Sequence, residues 1–105
     1  MNVFHVVDIF GDEIRLTQER WQHVLEHHPV MKGYLDHLRQ TLTEPNVVQR
    51  SPTNPNEYRY YRFFEEIYGG KYVFVAVVKE ADNFVVTAFI TRTIRRGGEF
   101  IWMSR

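Results

Sequence analysis

The feature that most constrains the fold is an unbroken apolar run of seven residues, Tyr72 to Val78. Side chains alternate between the two faces of a strand, so a strand that is apolar at every position must be covered on both faces. We therefore expect Tyr72–Val78 to be the central strand of a sheet. The run is far too short to cross a bilayer, and no membrane association is expected.

The segments on either side of this run predict an α+β fold. Turn residues and prolines divide the chain into two short strands, two helices and then a series of strands. This order indicates two N-terminal helices packed on one face of a C-terminal antiparallel sheet, within a single domain of residues 1–105. The predicted elements are strands at Val3–Phe10 and Glu13–Leu16, a helix from the Thr17 cap to Pro29, a helix at Met31–Leu42, and strands at Val47–Gln49, Tyr58–Phe64, Tyr72–Val78, Phe84–Thr91 and Phe100–Met103.

The first helix carries three of the five histidines, His23, His27 and His28. The ordinary pKa of histidine lies near neutrality, so such a cluster marks acid–base chemistry or a metal site. Arg20, His23 and His27 project along one side of the helix. His28 lies beside the buried stripe at the helix C-terminus, where the dipole favours the imidazolium form, and a cationic histidine beside a neutral one is a usable acid–base pair. A solvated helix face is the alternative interpretation.

The same helix matches a zinc-protease signature, since His23, Glu26 and His27 read H-x-x-E-H. Two histidines one helical turn apart can grip a zinc ion, with the glutamate as base. That motif needs a third ligand from a distant second helix, whereas the downstream half of this chain reads as strands. A zinc hydrolase is therefore the less favoured alternative, and no metal or cofactor is expected.

The aromatic strand Tyr58–Phe64 carries residues suited to nucleic acid. Its alternation places Arg59 and Tyr61 on one face and Tyr60 on the other. Arginines interleaved with aromatic rings can hold phosphates and stack on bases. A core strand whose arginines reach out to solvent is equally consistent with this pattern.

The strand Phe84–Thr91 also offers polar groups. Its alternation places Thr87 and Thr91 on one face, together with Val85 and Phe89. The two hydroxyl groups can donate hydrogen bonds to a phosphate, although threonine is also a common strand residue.

The charge pattern gives a weaker indication. The net charge is zero, so the chain as a whole is not drawn to nucleic acid. Residues 1–45 hold four basic and seven acidic side chains, and residues 46–105 hold nine and six, so a polyanion-binding surface should lie on the second part. The densest basic cluster, Arg92, Arg95 and Arg96, suits phosphate contacts or a solvated turn.

The chain has no cysteine, which excludes a disulfide framework and a zinc site built on thiolates. Its first residues lack the basic region and cleavage site of a signal peptide. We therefore expect a cytoplasmic location.

Several motifs, taken with their spacing, resemble a known superfamily. They are WQHVLEHHP in the first helix, TLTEPNVV after the second helix, an Arg- and Tyr-rich strand, then YVFVAVV and FVVTAFIT. From about Arg15 to Thr91 the chain is similar to the small phage- and toxin-associated nuclease-like domains grouped as barnase–EndoU–colicin–RelE. The resemblance implies an α+β fold of the RelE and barnase type, in agreement with the predicted elements.

The resemblance also implies a chemistry, because such domains cut RNA without a metal. A base removes the 2′-OH proton, an acid protonates the leaving 5′-oxygen, and cations stabilise the phosphorane. By position, the catalytic residues implied are His23, His28, Arg50 and Thr87, and we expect His23, Arg50 and Thr87 to converge on one phosphate. The substrate-binding residues expected are Arg20, Arg59, Tyr60, Tyr61, Thr91 and Arg92.

The function expected is that of a metal-independent endoribonuclease, as a toxin or mobile-element component that acts on RNA and is held by an antitoxin or immunity protein. The alternative is a non-catalytic binding module on the same fold, with its histidines buried or hydrogen-bonded internally. The aromatic strand Tyr58–Phe64 is also a candidate homodimer surface.

Overall fold

The computed structural model describes residues 1–104, and within them no helix is long and apolar enough to cross a membrane. These residues form one seven-stranded sheet, two α-helices and a 3₁₀ turn. In chain order the elements are β1 (Asn2–Val7), β2 (Glu13–Thr17), α1 (Gln18–His27), the 3₁₀ turn (Pro29–Gly33), α2 (Leu35–Thr43), β3 (Val47–Arg50), β4 (Glu57–Phe64), β5 (Lys71–Lys79), β6 (Asn83–Thr91) and β7 (Glu99–Met103).

The apolar run does form the centre of the sheet. The strand order is β1-β2-β6-β5-β4-β3-β7, which places β5 fourth of the seven strands of residues 1–104. Val73, Val75 and Val77 are buried on one face of β5, and Phe74 and Ala76 on the other. The predicted α+β class and the central position of Tyr72–Val78 are confirmed.

The sheet is mixed, so the expectation of a purely antiparallel sheet was wrong. The β2–β6 pair is parallel, with Arg15 beside Phe84, and the other adjacent pairs are antiparallel. Parallel neighbours require a long crossover connection, here both helices and β3 to β5. Because this crossover lies between β2 and β6, strand alternation alone could not reveal the direction of the pairing.

The two faces of the sheet have different coverings. On one, the helix face, Val24 of α1 and Leu38 and Leu42 of α2 join a single core with the valines of β5. On the opposite face, which we call the open face, a smaller cluster forms around Tyr61 and Phe74. The open face carries no helix across it, so it is where a large ligand can approach the sheet.

A β-bulge in β6 corrects the predicted grouping of its side chains. Ala76 pairs with Thr87, whereas Val77 pairs with Val85, so Val86 is an extra residue in β6. The bulge shifts the alternation by one residue. Val85 therefore faces the helix-side core, and Phe84 shares the open face with Thr87.

Two predicted boundaries also shift for local reasons. β1 ends at Val7 rather than Phe10, because the Asp8 carboxylate accepts hydrogen bonds from the backbone N–H groups of Phe10 (3.0 Å) and Asp12 (2.9 Å) and turns the chain. The second α-helix begins at Leu35 rather than Met31, since Pro29 starts a separate 3₁₀ turn.

The Thr17 cap is confirmed, because its hydroxyl accepts from the backbone N–H of Arg20 at 3.2 Å. We expect Thr17→Ala to lower the free energy of unfolding by about 1 kcal/mol, since one N–H of the first helical turn loses its acceptor. Urea denaturation measures the change, with Thr17→Ser retaining most of the stability and Gln18→Ala, an exposed neighbour, as control. An equal loss in Gln18→Ala would mean that the cap is not the cause.

Candidate functional site

A polar row crosses the open face at its centre. The strand registers place Gln49, Arg59, Ala76 and Thr87 side by side on β3, β4, β5 and β6. Residues aligned across neighbouring strands share one face, so Arg59 and Thr87 flank the small side chain of Ala76. The open face thus carries a guanidinium and a hydroxyl group on either side of Ala76. We call this central part of the open face the floor of the site.

Arg59 is held in place from its own strand. Its Nε donates to Oε2 of Glu57 at 3.0 Å, and the two side chains are 13% and 21% exposed. A partly shielded guanidinium fixed on one edge keeps its remaining N–H groups for an anion. The side chain of Thr87 is half-buried, and its hydroxyl group can donate one hydrogen bond.

Helix α1 borders this floor beside β6. The Arg20 guanidinium lies 5.9 Å from the centre of the Phe84 ring, and the His28 ring lies 5.1 Å from that of Phe89. Eight residues of helix rise roughly 12 Å, so Arg20 and His28 stand at opposite ends of the β6 segment that contains Thr87. A strand of nucleic acid laid along β6 would meet Arg20, Thr87 and His28 in turn.

The pKa of His28 corrects an expectation. The helix dipole was expected to favour its imidazolium form, but burial first, and then the positive charge of His27, lower the pKa of His28 below its ordinary value of 6.5. Contact with the Phe89 ring removes water from one side of the imidazole. His28 is therefore neutral at neutral pH, the state required of a general base.

The other end of the open face is covered by the loop of residues 92–98. The Arg95 guanidinium stacks over the rings of Phe74 (5.1 Å) and Phe89 (5.4 Å). The backbone N–H of Arg95 donates to the Tyr61 hydroxyl at 3.1 Å, and its carbonyl accepts from Gln49 Nε2 at 2.7 Å. The loop places Arg95 beside the His28 end of the floor and buries the polar end of Gln49.

Two of the predicted site residues lie on the helix face and do not join this floor. Arg50 pairs with Tyr58 and contacts Glu99 (3.2 Å) and the Tyr58 hydroxyl (3.3 Å), one residue out of phase with Gln49. Tyr60 is fully buried and donates to Asp8. Successive residues of a strand point to opposite faces. The expected convergence of His23, Arg50 and Thr87 is therefore not found. Arg59 and Thr87 share the open face, and His28 borders that face through Phe89.

Four further predicted residues lie outside the floor of the site or have no free polar group there. Tyr61 is fully buried beneath the loop, and Thr91 uses its hydroxyl to accept from the Thr93 backbone at 3.5 Å. Arg92 is exposed just beyond β6. His23 is exposed on α1 and stacks near His27, with ring centres 4.4 Å apart. His23 has no contact with the β6 aromatic rings in the described chain.

The zinc-motif residues do approach one another. Ligand atoms of His23, Glu26 and His27 lie within 4.8 Å of one another, and all three side chains are exposed. They come from α1 alone, and no ligand from another element joins them among residues 1–104. The arrangement lacks the second-helix ligand that the protease motif requires.

The aromatic strand does not offer the edge that a strand-paired dimer would use. β4 is paired on both sides, by β5 and by β3, and Tyr60, Tyr61 and Phe64 are buried. Phe63, 44% exposed, is its one large exposed side chain.

Sequence reasoning missed three residues at the Arg20 end of the site: Arg15, Glu57 and Phe84. Arg15 alternates with the buried Ile14 and Leu16, a pattern that places it opposite the core. Glu57 lies one residue before the predicted strand Tyr58–Phe64, and the bulge in β6 moves Phe84 to the face opposite the one that its alternation predicts. The alternation in β2 was the signal that would have found Arg15.

Comparison with known proteins identifies the family of this chain. The family model described as phage-Barnase-EndoU-ColicinE5/D-RelE like nuclease2 matches residues 3–102. No curated protein and no solved structure matches the chain. The matched range contains both helices, all the strands that carry the polar row and the resembling motifs. The chain therefore belongs to the phage-Barnase-EndoU-ColicinE5/D-RelE like nuclease2 family.

Proposed function

We propose that this nuclease-family chain, as a single domain of residues 1–105, cleaves RNA by metal-independent transesterification on the open face of its sheet. The observation that supports this most directly is the row that places Arg59 and Thr87 on either side of Ala76, with His28 at the border of the open face. The row supplies phosphate-binding donors, and His28 supplies a group able to accept a proton. Phosphate-binding donors and a proton acceptor are two of the groups that the reaction requires outside the RNA, and water serves as the third, the proton donor to the leaving oxygen.

The proposed reaction is an attack of the ribose 2′-oxygen on the neighbouring phosphorus. Neutral His28 takes the proton of a ribose 2′-OH, and the 2′-oxygen attacks the adjacent phosphorus. The bond from phosphorus to the 5′-oxygen breaks, and that oxygen takes a proton from a solvent water. The hydroxide so formed takes the proton from the His28 imidazolium, which restores water and neutral His28. Arg59 and Thr87 donate hydrogen bonds to the phosphoryl oxygens, which gain negative charge in the transition state. The products are a 2′,3′-cyclic phosphate and a free 5′-hydroxyl.

The assay uses 5′-labelled single-stranded RNA in the presence of EDTA, with product ends identified by mass. We expect fragments ending in a 2′,3′-cyclic phosphate from RNA, and no cleavage of DNA, which lacks the attacking hydroxyl. No cleavage, with binding retained, would instead favour the non-catalytic binding module. Cleavage only after metal addition would exclude the metal-independent mechanism.

Arg59→Ala should reduce kcat about 10²-fold, since it removes a charged donor aimed at the phosphoryl group. The matched control is Arg50→Ala, which removes the same side chain from the neighbouring strand on the opposite face. Both variants are first checked by thermal unfolding, because each loses an ion pair, with Glu57 and with Glu99. Equal loss of kcat in two folded variants would contradict the assignment of the site to the open face.

We propose further that the protein is a cytoplasmic toxin or mobile-element component that an antitoxin or immunity protein holds inactive. The family description supports this because it names phage, colicin and RelE. Induced expression in a host lacking that partner should arrest growth, and the His28→Ala variant should not. Arrest by both would show that toxicity does not depend on the proposed chemistry.

A further inference from the structure

A cavity of about 500 Å³ opens at the Arg20 end of the open face, between β2, β6 and the start of α1. The side chains in its lining that can recognise a ligand are those of Arg15, Thr17, Arg20 and Phe84, with the exposed Glu19 at its rim. The proposed cleavage step uses none of them. The cavity therefore needs a separate explanation.

The chemistry of this cavity suits a nucleotide. The Phe84 ring offers an aromatic surface, and single-stranded nucleic acids are bound through stacking of bases on such rings. The Arg20 guanidinium over that ring and the Arg15 guanidinium from β2 are planar cations that match phosphate geometry. Within residues 1–104 the Arg20 guanidinium lies over the Phe84 ring and pairs with no carboxylate.

The cavity is also at the right distance from the proposed cleavage site. Phe84 and Thr87 share the open face of β6 and belong to neighbouring cross-strand rows, Phe84 with Val78 and Thr87 with Ala76. Neighbouring rows on one face lie roughly 7 Å apart. A phosphate held at Thr87 therefore places the next nucleotide of the same strand over the cavity.

We propose that this cavity is a subsite for the nucleotide next to the scissile phosphate, with its base on Phe84 and its phosphate between Arg15 and Arg20. The subsite rests on the proposed function for its position along the substrate. Its occupant is a nucleotide of a single strand, because a base must be unpaired to stack on the Phe84 ring.

Asp82 competes for this subsite. Its carboxylate pairs with Arg15, which lowers the pKa of Asp82, and its side chain is 53% exposed in the turn before β6. A phosphate that binds the remaining N–H groups of Arg15 lies beside this carboxylate and is repelled by its charge. Removal of the Asp82 charge should therefore strengthen RNA binding, a result that a purely structural ion pair would not produce.

The test measures binding and cleavage separately. Anisotropy of a labelled 12-nucleotide single-stranded RNA in EDTA, over a series of salt concentrations, gives affinity and salt slope. Arg20→Ala should reduce the slope of log K against log salt by roughly 0.7, the effect of one lost phosphate contact on single strands. Phe84→Leu should weaken binding roughly tenfold without changing that slope. Asp82→Asn should raise both affinity and slope.

Arg39→Ala is the matched control, since its guanidinium also lies over a phenylalanine ring, Phe4, at 5.7 Å, but on α2. Cleavage of the same RNA is measured beside binding, so that a failure of the subsite and a failure of the proposed reaction are distinguishable. The subsite is overturned if Arg39→Ala changes binding as much as Arg20→Ala, if Asp82→Asn binds no better, or if the original protein does not bind the RNA. Binding changes as predicted without any cleavage would support the subsite and refute the proposed nuclease reaction.

Discussion

Replacement of Asp8 by alanine is expected to lower the free energy of unfolding by about 3 kcal/mol, because the buried Tyr60 hydroxyl and two backbone N–H groups lose their acceptor. Lys79 keeps a second carboxylate partner, Asp12, at 2.8 Å. Asp8 is 5% exposed, and its carboxylate receives four hydrogen bonds. Lys79 donates to Oδ2 at 2.7 Å, and the Tyr60 hydroxyl donates to the same oxygen. The loss would leave the Tyr60 hydroxyl buried without an acceptor.

The surroundings of Lys79 explain why water cannot replace that acceptor easily. The ammonium group lies 4.7 Å from the Phe10 ring centre, 4.8 Å from that of Tyr58 and 5.9 Å from that of Tyr60. Burial first, and then the hydrogen bond to Asp8, raise the pKa of Tyr60, so its phenol stays protonated as a donor. This network closes one end of the helix-side core and connects the turn after β1 to β4 and β5.

Urea denaturation of Asp8→Ala measures the loss. Tyr60→Phe, which removes only one donor, should cost about 1–2 kcal/mol. Because both changes affect the same hydrogen bond, the double variant should lose less than the two single losses combined. Asp36→Ala, a carboxylate that is 92% exposed, should change stability by no more than about 0.5 kcal/mol. A loss below about 1 kcal/mol in Asp8→Ala would show that the network does not stabilise the fold.

Much of the fold follows from local patterns in the chain. The apolar run in β5, the Thr17 cap and the proline after α1 each have a local physical cause, and each predicts what the structure shows. The parallel β2–β6 pair and the bulge at Val86 have no such local signal. Pairing direction depends on how the crossover packs, and the bulge becomes visible only when β6 is set against β5.

The candidate site was predicted less well, because a one-residue error reverses a side chain in a strand. Arg50 was selected from its position after a motif, yet its neighbour Gln49 is the residue that faces the open side. Arg59 lies in β4, whose alternation is unbroken, and Thr87 lies beyond the bulge of β6 from Phe84, so both face the open side. The sequence also could not distinguish the three histidines of the first helix. His28 contacts Phe89 of β6, whereas the rings of His23 and His27 lie against each other.

The largest expected effect on activity is that of His28→Ala, which should reduce kcat about 10³-fold as the proposed general base is lost. Of the five histidines, His28 is the one whose ring contacts a side chain of the open face, that of Phe89. His23, one helical turn before the zinc-motif partner His27, is exposed to solvent. His23→Ala is therefore the matched control and should retain activity within about threefold, since general-base losses of 10²-fold or more are not expected there.

A pH profile distinguishes a base from a merely structural histidine. The neutral form is the active one, and the pKa of His28 is lowered, so kcat/KM should rise with pH through a value below 6.5 and then level off. His27→Gln removes the second cause of that lowering, the charge of His27. The pKa of His28 should then rise toward its ordinary value, and the rising limb should move to higher pH.

The measurement is single-turnover cleavage of labelled RNA between pH 4.5 and 8 in EDTA, on variants shown to be folded by thermal unfolding. His28→Ala should lose the rising limb together with its activity, whereas His23→Ala should keep the limb unchanged. The assignment fails if His23→Ala is the inactive variant, or if His27→Gln leaves the limb where it was. In the first case, the reacting phosphate would have to lie on the solvent side of α1, away from Arg59 and Thr87, and the open face could not be the site of cleavage.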